Sequence, residues 1–279
     1  VSAIQLAAIP FPNIDPVALR LGPLAVHWYG LAYVAGFFAA WLVFRSLVRR
    51  WEIGISADDM LEVMLWAVAG VLLGGRLGYV LFYGGSYYLS HPAQVFAIWD
   101  GGMSFHGGLI GVLLAGIPAA RRVGVSWLTL ADIGAVGTPI GFFLGRLANF
   151  INGELWGRVT TVPWGVVFPG AGPLPRHPSQ LYEAALEGLV LFAIMFALSR
   201  RMPPRPRGEL LGWVLGLYGV FRIAVEFFRQ PDVQLGFLFG GATMGQLLSI
   251  PLVAAGVGLV VWARKRGMPQ APKDSAARD

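Results

Sequence analysis

The 279 residues are 56% hydrophobic and only 13% charged, against a charged share of about 25% in soluble domains. Spread over seven separated apolar runs, this composition excludes an ordinary soluble globule and defines a membrane protein. The net charge of +6 forms no basic patch interleaved with stacking aromatics, so nucleic acid is not an expected partner. The chain has no cysteine and hence neither disulfide nor cysteine nucleophile of its own.

Residues 1–23 are punctuated by Pro10, Pro12, Pro16 and Pro23, which predicts an irregular external segment. No charged stretch precedes an apolar core ahead of Arg20, so no cleavable signal is expected. A first span over Val26–Phe44 stops at Arg45, Arg49 and Arg50, and a second over Met60–Phe82 carries Arg76. The third is interrupted: Val95–Trp99 meets Asp100-Gly101-Gly102, then Phe105-His106-Gly107-Gly108, and a piece running to Ala120 that is shorter than the roughly 20 residues of a full span. Irregular backbone at membrane depth is tolerated where protein buries it or a wet cavity receives it. The fourth span covers Trp127–Ile151. An external loop over 152–180 comes next, with Pro163, Pro169, Pro173, Pro175 and Pro178 predicting a few short strands or turns. Spans five to seven are Leu181–Leu198, Leu210–Phe228 and Ala242–Ala263, and residues 267–279 are expected to form a disordered cytoplasmic tail. The expected fold is all-α: one membrane domain over 1–266 with seven spans, one of them broken.

Fourteen Lys and Arg come after spans one, three, five and seven, and only Arg20, Arg158, Arg176 and Arg229 lie in the segments on the opposite side. This bias places the C-terminus in the cytoplasm and the N-terminus outside. Tyr29, His106, Glu183 and Glu187 then open inward-running spans, while Arg76, Arg146 and Arg222 lie late in outward-running ones. Arg76 is about 24 Å along its span from Met60. The embedded polar groups thus converge on the outer leaflet. Glu62 and Asp132, near cytoplasmic helix starts, read as structural.

Arg146 lies inside an apolar run with Asn149 one turn on, then Asn152 and Glu154. Such an arginine either faces a cavity, an anion or a carboxylate, or snorkels to the surface. Tyr218, Arg222 and Glu226 at i, i+4 and i+8 form one stripe, whose plain reading is an ion pair that locks the helices. Glu183 and Glu187 form another, able to neutralise Arg76 or Arg158. Several arginines around one cavity suit a phosphate, which a guanidinium binds through two parallel hydrogen bonds. His106, beside two glycines, fits a base for a thiol or hydroxyl and a satisfied structural group equally well. Nothing has metal-ligand spacing, and neither metal nor cofactor is expected. Gly75-Arg76-Leu77 with His91-Pro92-Ala93-Gln94 is echoed by Gly145-Arg146-Leu147 with His177-Pro178-Ser179-Gln180, a weak sign of an internal repeat. On residues alone, an enzyme and a transporter or lipid-handling protein that binds a phosphate without chemistry both remain open.

The run from Gly145 to Arg158, GRLANFINGELWGR, resembles the signature of the bacterial prolipoprotein diacylglyceryl transferases. The resemblance extends to His27-Trp28-Tyr29-Gly30, to His106-Gly107-Gly108, to His177-Pro178-Ser179-Gln180-Leu181-Tyr182-Glu183, and to Tyr218–Arg222 with Glu226 and Arg229. It implies a seven-span enzyme of the bacterial inner membrane that moves diacylglycerol from phosphatidylglycerol to the cysteine thiol of a prolipoprotein signal peptide. Within it, Arg146 and Asn149 are expected to bind phosphate, Arg222 to stabilise the leaving group and His106 to act as base. Tyr29 and Tyr218 would hydrogen-bond the head group, Glu154, Glu226, Glu183 and Arg76 would support the site, and Gly157 would shape the loop.

Overall fold

The computed structural model describes residues 9–22, 24–83, 87–98, 101–231 and 238–270. The expected tail from residue 271 onward, and Trp99 and Asp100 of the interrupted span, lie outside these residues. In chain order come β1 (Ile9–Pro10), β2 (Val17–Leu21), β3 (Leu24–His27), α1 (Trp28–Arg50) and α2 (Ala57–Tyr83). The short helix α3 (Tyr87–Ser90) and a 3-10 turn over Pro92–Phe96 lead to α4 (Phe105–Val123) and α5 (Trp127–Ile151). After β4 (Val166–Val167), one continuous helix comprises α6 (Ser179–Glu183), a π-helical segment Ala184–Val190 and α7 (Leu191–Ser199). α8 (Glu209–Glu226) and α9 (Met244–Arg266) complete the order. Trp28–Arg50, Ala57–Phe82, Trp127–Ile151, Ser179–Ser199 and Met244–Arg266 are long and apolar enough to cross a membrane. α4, which ends in Arg121 and Arg122, and α8, which carries Glu209, Arg222 and Glu226, fall outside that set. The protein is therefore a mainly helical, multi-pass membrane protein.

Helix ends carry their signals in the sequence. Ser56 and Asp59 cap α2 reciprocally, with two backbone-to-side-chain bonds of 3.1 Å. Thr243 and Gln246 do the same for α9, which stops at Gly267 in the left-handed conformation. Basic last turns close α1, α4 and α9, where positive charge complements the exposed carbonyls. Two expectations need correction. The proline-marked start is not irregular throughout, because β2 and β3 pair antiparallel around Gly22 at φ 60° and α1 begins only at Trp28. The fifth apolar run is not α-helical throughout, since Ala184–Val190 within it form the π segment.

The chain forms two compact units, Val1–Val43 with Gly134–Met268 and Phe44–Ile133 with Pro269–Asp279. In the second, α2 and α4 approach through glycine. A Cβ on Gly70 would lie 2.7 Å from the Gly111 carbonyl oxygen, and one on Gly78 would lie 2.7 Å from the Gly107 Cα. The interrupted third span lies here too. Its open carbonyls are closed by Arg76, which donates to Val95 at 2.8 Å, Gln94 at 2.6 Å, Gly101 at 2.5 Å and Gly102 at 3.2 Å. A single guanidinium thus satisfies four carbonyls of non-helical backbone. Asp132 is fully buried and accepts from the Gln270 side chain at 2.7 Å, a tie across 138 positions that its place near a helix start did not announce.

In the first unit, α8 and α9 repeat the glycine device: a Cβ on Gly212 would meet the Gly256 carbonyl oxygen at 2.8 Å. The loop after α5 holds β4, paired in parallel with β1, and antiparallel bridges Gly157 to Arg229, Val159 to Arg176 and Val166 to Arg176. Phe168 is buried between Phe11, Phe150 and Trp156 and anchors this loop. The short strands and turns expected for 152–180 are therefore present.

Substituting Gly74→Leu should separate α2 from α4, because a Cβ there would already sit 2.7 Å from the Gly111 Cα. Overpacking of this kind costs about 1–3 kcal/mol, which a lowered thermal midpoint in detergent would report. An unchanged midpoint would contradict the close approach.

Candidate active site

α8 carries Arg222 and Glu226 one turn apart, and the helix opening at Ser179 carries Glu183 and Glu187. Gly188 lets that helix touch α5 directly, since a Cβ there would lie 2.6 Å from the Phe143 Cβ. Arg146, less than one turn beyond Phe143, is thereby brought to the two glutamates. Its Nε stands 2.5 Å from Glu183 Oε2, and its Nη2 is 3.8 Å from Glu187 Oε2. Arg222 Nη1 donates to Glu183 Oε1 at 2.9 Å and Nη2 to Glu226 Oε1 at 2.5 Å. Arg229 reaches both carboxylates, at 3.6 Å from Glu183 and 3.1 Å from Glu226. The Thr243 hydroxyl donates to Glu226 Oε2 at 2.8 Å. Glu183, Glu187 and Glu226 are each 1% exposed. Carboxylates so buried persist only where cations and donors replace their water, and here three guanidinium groups face three carboxylates.

One side of the cluster is closed by neutral polar groups. Arg146 Nη1 is 3.5 Å from Asn149 Oδ1, while Asn149 and Asn152 donate to Glu154 Oε1 at 2.9 and 3.2 Å. Gln180 Nε2 donates to the Glu154 carbonyl at 2.5 Å. At Gly157 the loop passes so close to two chain segments that a Cβ would sit 2.6 Å from the carbonyl oxygens of both His177 and Phe228. No other residue fits there. Arg158 donates to the carbonyls of Arg229 and Glu226 at 2.9 and 3.1 Å, fixing the end of α8. The Trp164 indole, a donor only, bonds the Tyr182 hydroxyl at 2.6 Å. That hydroxyl is also hydrogen-bonded to His177 Nδ1 at 3.1 Å, with the direction set by the imidazole tautomer. Burial lowers the His177 pKa, which favours the neutral ring near neutral pH.

The structure gathers Arg146, Asn149, Glu154, Glu183, Arg222 and Glu226 into one connected network. Arg146 turns to a carboxylate instead of snorkelling outward. Arg222 pairs with Glu226 as the stripe predicted, but it also holds Glu183 on another helix. Glu183 and Glu187 face Arg146 and Arg222, not Arg76 or Arg158 as the spacing suggested, because those two arginines direct their donors to main-chain carbonyls. Tyr218 packs on Phe142 at 5.0 Å and Tyr29 on Tyr33 at 5.5 Å. His106 is exposed on the first turn of α4 and, like Arg76, belongs to the second unit. Sequence reasoning quoted Arg229 in the family motif but gave it no role, because it counts as a loop residue when span six is read to Phe228; its i+3 spacing from Glu226 was the available signal. Thr243 carried only the signal of a helix cap.

Fold and site define a multi-pass helical membrane protein with a buried arginine–glutamate cluster. The sequence profile described as prolipoprotein diacylglyceryl transferase matches residues 16–262. A phosphatidylglycerol–prolipoprotein diacylglyceryl transferase of Geobacter sulfurreducens is 55% identical over 92% of this chain and 98% of its own. Proteins of the same name from Paramagnetospirillum magneticum and Pseudomonas paraeruginosa are 53% and 50% identical, covering 93% and 94% of this chain and 97% and 98% of theirs. The chain belongs to the prolipoprotein diacylglyceryl transferase family.

Removing the shared carboxylate tests the cluster. Glu183→Ala leaves Arg146 and Arg222 facing each other without it, and breaking a buried pair costs about 3–5 kcal/mol. Denaturation in detergent should show a loss of that order, larger than for Glu62→Ala, whose bond to Arg122 is exposed. Equal losses would remove the cluster's claim to hold the helices together.

Proposed function

We propose that this protein transfers the diacylglyceryl group of phosphatidylglycerol to the thiol of the lipid-acceptor cysteine in a prolipoprotein signal peptide, the first step of lipoprotein maturation. The observation that carries this reading is the pair Arg146 and Arg222. These guanidinium groups of the family motifs lie on different helices and share the buried Glu183. In this reading sulfur bonds to the glyceryl carbon, the bond from that carbon to the phosphate oxygen breaks, and glycerol 1-phosphate leaves with the electron pair. Arg146, held by Asn149, binds the phosphate, and Glu154 and Gly157 fix the loop behind it. Arg222, oriented by Glu226 and Glu183, meets the second negative charge that grows on the leaving group. His106 takes the thiol proton, Tyr29 and Tyr218 hydrogen-bond the head group, and Arg76 keeps the segment before α4 in shape. The acceptor thiol belongs to the substrate, so a chain without cysteine lacks nothing.

The proposed setting is a bacterial inner membrane, crossed seven times, with the N-terminus outside, the C-terminus in the cytoplasm and the site toward the outer leaflet. The basic ends of α1, α4 and α9 support this orientation. Mass spectrometry of a signal peptide incubated with the purified protein and phosphatidylglycerol tests the activity. A diacylglyceryl adduct on the cysteine is the expected outcome; a protein that binds the lipid without producing one would be a lipid-handling protein instead.

The two arginines should fail differently. Arg146→Lys keeps the charge and loses the planar fork, so phosphatidylglycerol affinity should fall roughly ten- to a hundredfold, the equivalent of about 1.5–3 kcal/mol. Arg222→Ala should lower the maximal rate more than the affinity, because its contact strengthens as the phosphate leaves. Steady-state kinetics over lipid concentration separates the two. Normal turnover by folded Arg222→Ala at saturating lipid would leave Arg222 as a partner of glutamates only.

A further inference from the structure

Glu187 is the one carboxylate of the cluster that its partners do not hold closely. Glu183 is 2.5 Å from Arg146 and 2.9 Å from Arg222, and Glu226 is 2.5 Å from Arg222 and 3.1 Å from Arg229. Glu187 stands back at 3.7 Å from Arg222 Nη1 and 3.8 Å from Arg146 Nη2. Its Oε1 is buried and has no hydrogen-bond partner among the described residues. The residue lies in the π-helical segment, a widened turn of a kind that recurs at functional sites. The charged groups facing it are Arg146 from α5, Arg222 from α8, Arg229 just beyond α8 and Glu183 from its own helix, with the Tyr218 hydroxyl of α8 also nearby.

Charge counting gives this position a consequence. Glu183 and Glu226 together offset two of the three guanidinium charges. The remaining positive charge is balanced either by ionised Glu187 or by one phosphodiester, but not by both without excess negative charge in a site that water barely enters. Ionised Glu187 would also compete for the two nitrogens, Arg222 Nη1 and Arg146 Nη2, that lie nearest to it.

We propose that Glu187 is a positioning residue that ionises in the empty site and takes up a proton when a singly charged phosphodiester lodges on Arg146 and Arg222. The inference rests on the reading of these arginines as the phosphate site. One proton enters from water with the lipid and returns to water when the phosphate-bearing product leaves, so the cluster is neutral in both states.

Binding of phosphatidylglycerol to the full-length protein, without acceptor peptide, provides the test, because the lipid phosphodiester does not titrate across the range. Above the empty-site titration of Glu187, parent affinity should fall by up to about tenfold per pH unit. Mixing in weak buffer with an indicator dye should show one proton taken up per lipid bound. Glu187→Gln, of the same shape but unable to ionise, should bind with the same affinity at every pH and take up no proton. Glu187→Asp should restore the slope. A Glu187→Gln slope equal to the parent's, or parent binding without proton uptake from about pH 5 to about pH 9, overturns the proposal. The uptake measurement on the parent decides alone if Glu187→Gln does not fold. Dimethyl phosphate, a soluble diester that does not titrate across this range, and phosphatidylglycerol are run in parallel, so that uptake with the soluble diester assigns the effect to the phosphate group and uptake with lipid alone to the head group in its membrane setting. A parent that makes the peptide adduct but takes up no proton refutes this inference and leaves the transferase reading; proton uptake without an adduct does the reverse.

Discussion

Burying a carboxylate among membrane helices is among the most costly things a sequence can ask of a fold, and Glu183 is buried almost completely. Three guanidinium groups from three places in the chain converge on it: Arg146 from α5, Arg222 from α8, and Arg229 from just past the end of α8. Much of the first unit can be understood as what this convergence requires. Gly188 allows the helix bearing Glu183 to touch the backbone of α5, and Gly157 allows the loop to pass between His177 and Phe228. At Gly245 a Cβ would lie 2.5 Å from Glu226 Oε1, so the start of α9 must be glycine for that carboxylate to stay where it is.

The same economy appears in the second unit with a different acceptor. Arg76 and Arg146 occupy equivalent places in the short sequence echo, each late in a long helix and each with a His-Pro-x-Gln site downstream. Arg76 bonds main-chain carbonyls at and after its Gln94, whereas Arg146 reaches a carboxylate three residues beyond its Gln180. One arginine thus holds irregular backbone, and the other sits in an ionic cluster. The physical difference lies in the backbone just past each glutamine. Beyond Gln94 the chain is a broken segment with open carbonyls, and beyond Gln180 it is a continuous helix presenting Glu183.

For a family that handles phosphatidylglycerol in its members' names, a neutral cluster of paired charges has a particular merit. Free arginines at membrane depth would be unstable, and pairing with buried carboxylates removes that cost. Arg146 keeps partial exposure at 21% of its side chain while Glu183 keeps almost none, so the guanidinium is the accessible member of the pair. Glu187 stands further from Arg146 and Arg222, at 3.8 and 3.7 Å, than the carboxylates whose pairs join α8 to the neighbouring helices.

Composition and spacing alone determined a helical membrane protein, the placement of its long helices to within a few residues, and the residues of the GRLANFINGELWGR motif as polar groups needing partners. Those properties depend on local periodicity and on the cost of burying charge, both of which are written residue by residue. Which carboxylate met which arginine was decided by tertiary structure. Spacing offered Glu183 to Arg76 or Arg158, and the fold gave it to Arg146 and Arg222, because the contact of Gly188 with α5 is a packing event between distant segments that no local pattern encodes. The π segment was equally hidden: Ala184–Val190 reads as good α-helix, and an inserted turn changes the direction of a side chain without changing composition. Arg229, Thr243 and Gln270 acquired their partners in the same way, across gaps in sequence that only the folded chain closes.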